Sequence, residues 1–145
     1  EKSVKKQLIA DVPLGILLSG GVDSSLITAM ASRSLNNVKT FCVSFPGQGN
    51  MDEKKHARLI SEYFSTDHIE LDAMENSVDI FPILAKQFDE PIVDSSMIPT
   101  FLLCQMVRKH CKVALGGGDG GDELFGGSQY LHTSFLFVCK LNDNT

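Results

Sequence analysis

The sequence predicts an α/β protein: a parallel sheet with helices on both faces. Two observations predict it. Short, continuously apolar runs alternate with amphipathic stretches of ten or more residues, the pattern of βαβ units. Two glycine-rich segments, SGG at 19–21 and GGG at 116–118, each follow directly on such an apolar run. In open parallel sheets, ligands bind beyond the carboxyl ends of the strands, where the strand order reverses. The two loops would therefore share one crevice if their strands are neighbours.

Taken in order, Val4 and Leu8 share a face of a short opening helix that Pro13 terminates. Residues 15–18, GILL, form the first strand. A helix from 23 to about 35 carries an apolar stripe of Leu26, Ile27, Met30 and Ala31. Residues 38–45, VKTFCVSF, read as a mostly buried strand closed by Pro46 and Gly47. Asp52 and Glu53 suit the first turn of the next helix, whose inner face is Ala57, Ile60 and Phe64. HIEL at 68–71 is the third strand. Helices over 78–88 and 98–110 flank the segment DEPIVDSS, KVAL at 112–115 is the fourth strand, and a last helix starts near Ser128.

The 145 residues are enough for one domain with a core. A 43% hydrophobic and 21% charged composition fits a soluble globular chain, and no run is long and apolar enough to span a membrane. The polar N-terminus lacks a secretory signal, so a cytoplasmic location is expected. A net charge of −5 with scattered basic residues argues against a nucleic-acid footprint and leaves a small anionic ligand open. Cys42, Cys104, Cys111 and Cys139 form no CxxC pair and are expected as buried free thiols. Isolated histidines argue against a zinc site.

The chemistry concentrates in the two loops. Gly20 and Gly21 allow a sharp turn and close approach to a ligand. The following helix points unpaired N–H groups and its positive dipole end into the same loop. Ser19, Ser24 and Ser25 add hydroxyls. This is a cradle for phosphate oxygens, although neither GxxxxGK[ST] nor GxGxxG is present. Asp23 would repel a bare phosphate and makes sense as a ligand of a bridging Mg²⁺. The plainer alternative is a strand-to-helix turn with Asp23 or Ser24 as the cap. In GGGDGGDELFGG at 116–127, three glycines permit approach to a flat base or ribose. Asp119, Asp122 and Glu123 then concentrate negative charge that would defeat polyphosphate binding unless cations are shared. A charged surface loop is the alternative.

SGGVDSS at 19–25 resembles the SGGxDS signature of the ATP pyrophosphatases, which cleave ATP to AMP and pyrophosphate. GGDGGDELFGG is similar to the SGDGGDELFGG segment of glutamine-hydrolysing asparagine synthetases. DVPLGILLSGGVDSS and FDEPIVDSSMIPTFLL resemble the bacterial branch of that family. The resemblance runs from residue 11 to 127, with Gly117 standing where Ser is usual. It implies an adenine nucleotide alpha hydrolase-like (ATP pyrophosphatase, HUP-type) three-layer α/β/α fold and a carbon–nitrogen ligase. A carboxylate, by default aspartate, would be activated by ATP as an acyl-adenylate, and ammonia would then give the amide and AMP.

Carried over by position, the resemblance implies that Leu18, Val43, Gly117 and Gly118 contact adenine, mainly through backbone. Ser19, Gly20, Gly21, Asp23, Ser24 and Ser25 would hold the pyrophosphate, and Asp23 and Asp122 would bind Mg²⁺. Asp119 takes an acidic position tied to forming and using the adenylate. Asp94, Ser95 and Ser96 are acceptor contacts, or the two serines cap the next helix. The expectation is a single, truncated synthetase domain over 1–145, inactive when isolated. It lacks the glutaminase domain that supplies ammonia from glutamine and a lysine that lies beyond the chain's end. The full-length protein is open to homodimerisation, with no nucleic-acid or membrane partner. Sugar-acid amidation, tRNA modification and a non-catalytic nucleotide-binding fragment are the alternatives.

Overall fold

The structure, a computed structural model, describes residues 1–44, 53–73, 80–87, 96–118 and 121. Four parallel strands form the sheet: β1 (Leu14–Leu17), β2 (Lys39–Ser44), β3 (Asp67–Asp72) and β4 (Val113–Leu115). Their spatial order is β3-β2-β1-β4. The chain steps outward from β1 to β2 to β3, then returns to lie on the other side of β1. Strand order therefore reverses between β1 and β4, which pair at Leu14↔Val113, Gly15↔Ala114 and Ile16↔Leu115. The two glycine-rich loops leave adjacent strands, as their convergence requires.

Five helices complete the described residues: α1 (Lys2–Gln7), α2 (Val22–Ser32), α3 (Lys54–Tyr63), α4 (Phe81–Gln87) and α5 (Met97–Val107). Side chains alternate across a strand, and the core divides accordingly. On one face Ile16, Ala31 and Val38 pack with Val4, Leu8 and Ile27, bringing α1 and α2 onto the sheet. Beside them Leu18, Cys42 and Ala57 pack with Ile60 of α3. On the opposite face Phe41, Val107 and Cys111 gather Leu17, Val43, Ile69, Leu71 and Leu103 under α5. Helices cover both faces, as the alternation of elements predicts.

Boundaries shift by a few residues, and some assignments change. The stripe on α2 is not the four-residue run expected, because Leu26 is 55% exposed. The buried face is Ser24, Thr28 and Ala31 with Ile27 at its edge. Small side chains let the helix sit close to the sheet, and the Thr28 hydroxyl is satisfied by donating to the Ser24 carbonyl at 2.9 Å. The third helix opens at Lys54, with Glu53 in the cap position and no acidic residue in its first turn. The expected helix over 98–110 spans Met97–Val107, where Pro99 is tolerated because the first-turn N–H groups have no intrahelical partner. Cys42 and Cys111 are buried free thiols, whereas Cys104 is disulfide-bonded. Apolar neighbours foretell burial but not the Cα separation and geometry that a bridge needs. Cys139, Asp52 and the helix expected from Ser128 lie outside the described residues.

Gly15 shows how tightly the core closes. A Cβ there would lie 2.2 Å from Phe41 Cε2 and 3.2 Å from the Cys111 sulfur. Phe41 is only 1% exposed and has no room to withdraw. Gly15→Ala should therefore destabilise the fold by about 1–3 kcal/mol, measured by urea unfolding. An unchanged midpoint would mean the ring has space the packing does not reveal.

A polar ladder fastens α3 to β3. Arg58 donates from Nε and Nη2 to the two carboxylate oxygens of Glu70, each at 2.8 Å. Lys54 bonds Asp72, which also accepts from the Ser44 hydroxyl at 2.6 Å. At the base, Thr40 Oγ1 meets Thr66 Oγ1 at 2.8 Å and His68 Nδ1 at 2.9 Å. His68 Nε2 is buried without a hydrogen-bond partner among the described residues. Burial pushes the His68 pKa below its ordinary 6.5, against the pull of Glu70 and with the help of Arg58.

The consequence for stability follows from linkage. Well above pH 6.5 His68 is neutral in both states and its contribution is constant. Below that value the unfolded chain takes up the proton first, so stability falls with pH until the depressed native pKa is passed. His68→Gln should flatten this part of a stability–pH profile between pH 6.5 and the lowered value. An identical slope in the variant would relieve His68 of the effect.

Candidate nucleotide site at the β1–β4 crevice

The first loop is a braced turn. Gly20 adopts φ +85°, a conformation that only glycine accepts easily. A Cβ there would lie 2.6 Å from His56 Cβ and 2.7 Å from the Ala57 nitrogen, so the first turn of α3 rests directly on the loop. The Gly21 N–H donates to Ser19 Oγ at 3.3 Å, and the Ser24 hydroxyl donates to the Gly21 carbonyl at 3.2 Å. Ser19 and Ser24 hydroxyls lie 3.0 Å apart. With Ser24 giving its proton to Gly21, Ser19 donates to Ser24. Both hydroxyl protons are thus held inside the loop, and Ser24 is 7% exposed.

What remains open is backbone. Gly21 caps α2, no side chain caps the helix, and the first amide returned to the chain is Ser25 N–H, bonded to the Gly21 carbonyl at 3.0 Å. The N–H groups of Val22, Asp23 and Ser24 are left at the positive end of the helix, a donor set suited to an anion. The Ser25 Oγ is buried with no hydrogen-bond partner among the described residues, so one side-chain donor adjoins the same turn unused.

The second loop lies across this helix end. A Cβ at Gly116 would stand 3.6 Å from Leu17 Cδ1, and one at Gly117 only 2.1 Å from Ile27 Cδ1. At Gly118, with φ +120°, it would stand 3.3 Å from Asp23 Oδ2. At Gly121 it would meet both Asp23 carboxylate oxygens at 3.2 Å. Gly121 N–H also closes a turn onto the Gly118 carbonyl at 2.9 Å. Glycine backbone from a segment about 95 residues away in sequence therefore stands beside the exposed Asp23 carboxylate. A side chain at Gly118 or Gly121 would occupy the space beside it.

On the other side of β1, Leu18 and Val43 behave differently. The Leu18 side chain is 1% exposed, and its N–H donates to the Phe41 carbonyl at 2.8 Å. In a parallel ladder alternate residues turn their N–H and C=O to the same neighbour. Phe41 faces β1, so Val43 does too. The chain has left the sheet by Ser19, and among the described residues no backbone group takes the Val43 N–H or C=O. Val43 thus presents a donor and an acceptor side by side at the crevice, while its side chain packs under α5.

Asp119, Asp122, Asp94 and Ser95 lie outside the described residues. Ser96 is in the cap position of α5, exposed, without a side-chain cap bond. Among the described residues no three His, Cys, Asp or Glu side chains gather closely enough to hold a metal ion, and no helix is long and apolar enough to cross a membrane. The sequence had not revealed the part played by α3. His56 and Ala57 carry no signature, and only their packing on Gly20 ties them to the loop.

These features define a class: a doubly wound α/β fold with an anion-accepting helix end at its switch point. Solved structures share the fold. The NH3-dependent NAD synthetase from Campylobacter jejuni, in complex with nitrate, superimposes with a TM-score of 0.53 at 18% identity over 90% of this chain and 65% of that one. A glutamine-dependent NAD+ synthetase from Acinetobacter baumannii, in complex with ADP, gives 0.53 at 18% identity over 80% of this chain and 24% of that one. The fold is the HUP-type α/β fold of these NAD synthetases.

The asparagine synthase family model matches residues 1–140, and the chain belongs to that family. The glutamine-hydrolysing asparagine synthetase of Zea mays is 37% identical over 91% of this chain and 24% of its own length. A putative one from Mycobacterium tuberculosis is 38% identical over 88% of this chain and 19% of its own. Asparagine synthetase 1 of Bacillus subtilis is 36% identical over 86% and 20%. The chain therefore spans between 19% and 24% of the length of these relatives.

Proposed function

We propose that this chain is the ATP-activating segment of an amidating ligase. A substrate carboxylate oxygen attacks the α-phosphorus of ATP, pyrophosphate departs, and ammonia then displaces AMP from the acyl-adenylate to leave an amide. The observation that carries this reading is the seat of Asp23: it lies in the first turn of α2, and Gly118 and Gly121 of the second loop stand beside its carboxylate.

In this reading the Val22, Asp23 and Ser24 amides and the Ser25 hydroxyl bind the leaving pyrophosphate. Ser19 and Ser24 act chiefly as the internal brace that keeps those amides aligned. The Val43 N–H and C=O read one edge of adenine, with the Leu18 carbonyl and the Gly117 and Gly118 backbone nearby. Asp23, together with Asp122, would hold Mg²⁺, which would neutralise charge on the departing pyrophosphate. Asp119 would act in forming and using the adenylate. Positioning and preorganised donors supply most of the rate in such a transfer, and a closed crevice protects the adenylate from water. Asp94, Ser95 and Ser96 would contact the acceptor, aspartate by default and a sugar acid as the alternative. Ammonia comes from glutamine through a separate glutaminase domain, in the cytoplasm.

Isothermal titration of the 145-residue chain with ATP tests the reading. Saturable binding that needs Mg²⁺ and is displaced by pyrophosphate is expected. Heat-silent titrations at millimolar ATP, with the chain folded by circular dichroism, would overturn it.

A further inference from the structure

Three successive glycines of the second loop rest on three different side chains of the first unit: Gly116 on Leu17, Gly117 on Ile27 and Gly118 on Asp23. Asp23 and Ile27 are four residues apart on α2 and so share a face one helical turn apart. That face is polar at the end beside the open amides and apolar one turn further along. The tightest of the three contacts is the apolar one. A Cβ at position 117 would stand 2.1 Å from Ile27 Cδ1, yet 3.5 Å from Ile27 Cγ1, an ordinary contact distance. The whole conflict therefore lies with one methyl group. Cδ1 could move aside only by rotation about χ2, and Ile27 packs against the cluster of Ile16, Ala31 and Val38, which limits that rotation.

We propose that Ile27 is a positioning residue for the base end of the crevice. Its δ-methyl fills the volume that a side chain at 117 would need, and so sets how far the 116–118 backbone stands from α2 where the adenine is to lie. The inference rests on the nucleotide-site reading and adds to it a determinant that touches neither phosphate nor metal. Positions 27 and 117 then share a single methyl-sized space. Ile27→Val removes Cδ1, and Gly117→Ala adds a Cβ, so the pair of changes moves one methyl from the helix to the loop at nearly constant volume.

A double-mutant cycle on the full chain tests this, with Mg·ATP and Mg·tripolyphosphate as separate probes. Gly117→Ala should weaken Mg·ATP about tenfold, and Ile27→Val added to it should recover affinity to within about threefold of wild type, a coupling well inside the range for residues in contact. Tripolyphosphate, which has no base, should change less than about twofold in every variant. A merely structural role would move thermal midpoints without separating the two probes. Coupling below twofold for ATP, or equal losses for both probes, overturns the positioning role while leaving the nucleotide reading intact. A wild-type chain that binds neither probe overturns both.

Discussion

Gly20→Ala should lower the thermal unfolding midpoint by on the order of 10 °C and abolish measurable Mg·ATP binding in the same protein. Two separate costs add. A non-glycine residue at φ +85° pays about 1–2 kcal/mol for the left-handed backbone. The added Cβ would also stand 2.6 Å from His56 Cβ, 2.7 Å from the Ala57 nitrogen and 2.9 Å from the His56 carbonyl carbon. Two of those three atoms are helix backbone and cannot swing aside as a side-chain tip can. Either α3 lifts from the sheet or the loop moves. Lifting α3 strains its ladder to β3, where Arg58 grips Glu70 and Lys54 grips Asp72. Those pairs reach into water, which screens them, so the loop and helix would both yield. Moving the loop turns the Val22, Asp23 and Ser24 amides away from their common focus. Differential scanning fluorimetry with and without Mg·ATP would read both effects. A variant that keeps its midpoint and its ligand-induced shift would show that the contact between loop and α3 is dispensable.

Asp23→Ala should reverse its effect with the metal. With Mg²⁺ present, loss of the carboxylate should weaken ATP at least about tenfold, the lower end of what even outer-shell ligand partners cost. With EDTA, the same variant should bind ATP more tightly than wild type, because a negative charge has been taken from the phosphate cradle. A purely structural aspartate predicts losses of the same sign in both conditions. Stability is the control. Asp23 is exposed and no described residue is shown bonded to its carboxylate, so its removal should leave the unfolding midpoint within a few degrees. Isothermal titration in the two buffers checks the sign, and Asp122→Ala should follow the same pattern if the two residues share the ion. Weakening of equal size with and without Mg²⁺ would sink the metal assignment.

The parts of the fold legible in the sequence are those that depend on local periodicity. All four strands and the described helices fall where apolar runs and helical spacing put them, with edges that differ by a few residues. Leu26 misled because spacing alone cannot tell which side of a helix meets the sheet. Thr28 and Ser24 are buried there through hydrogen bonds that a hydropathy pattern reads as polar and exposed. The Cys104 disulfide, the His68–Thr40–Thr66 cluster and the seat of α3 on Gly20 were not legible at all. The last two depend on residues brought together from distant parts of the chain, and nothing in the local sequence encodes their separation.

By itself the sequence determined that there would be two glycine-lined turns at strand ends, one holding an aspartate at a helix start, within an alternating α/β chain. It could do so because backbone freedom at glycine, helix-end donors and strand periodicity are local properties. That β1 and β4 are neighbours, and hence that Gly118 and Gly121 stand beside the Asp23 carboxylate while Gly117 closes on Ile27, arises only in the folded chain. That adjacency comes from the return of the chain across the sheet after β3, a choice made by the packing of both sheet faces together rather than by any one segment.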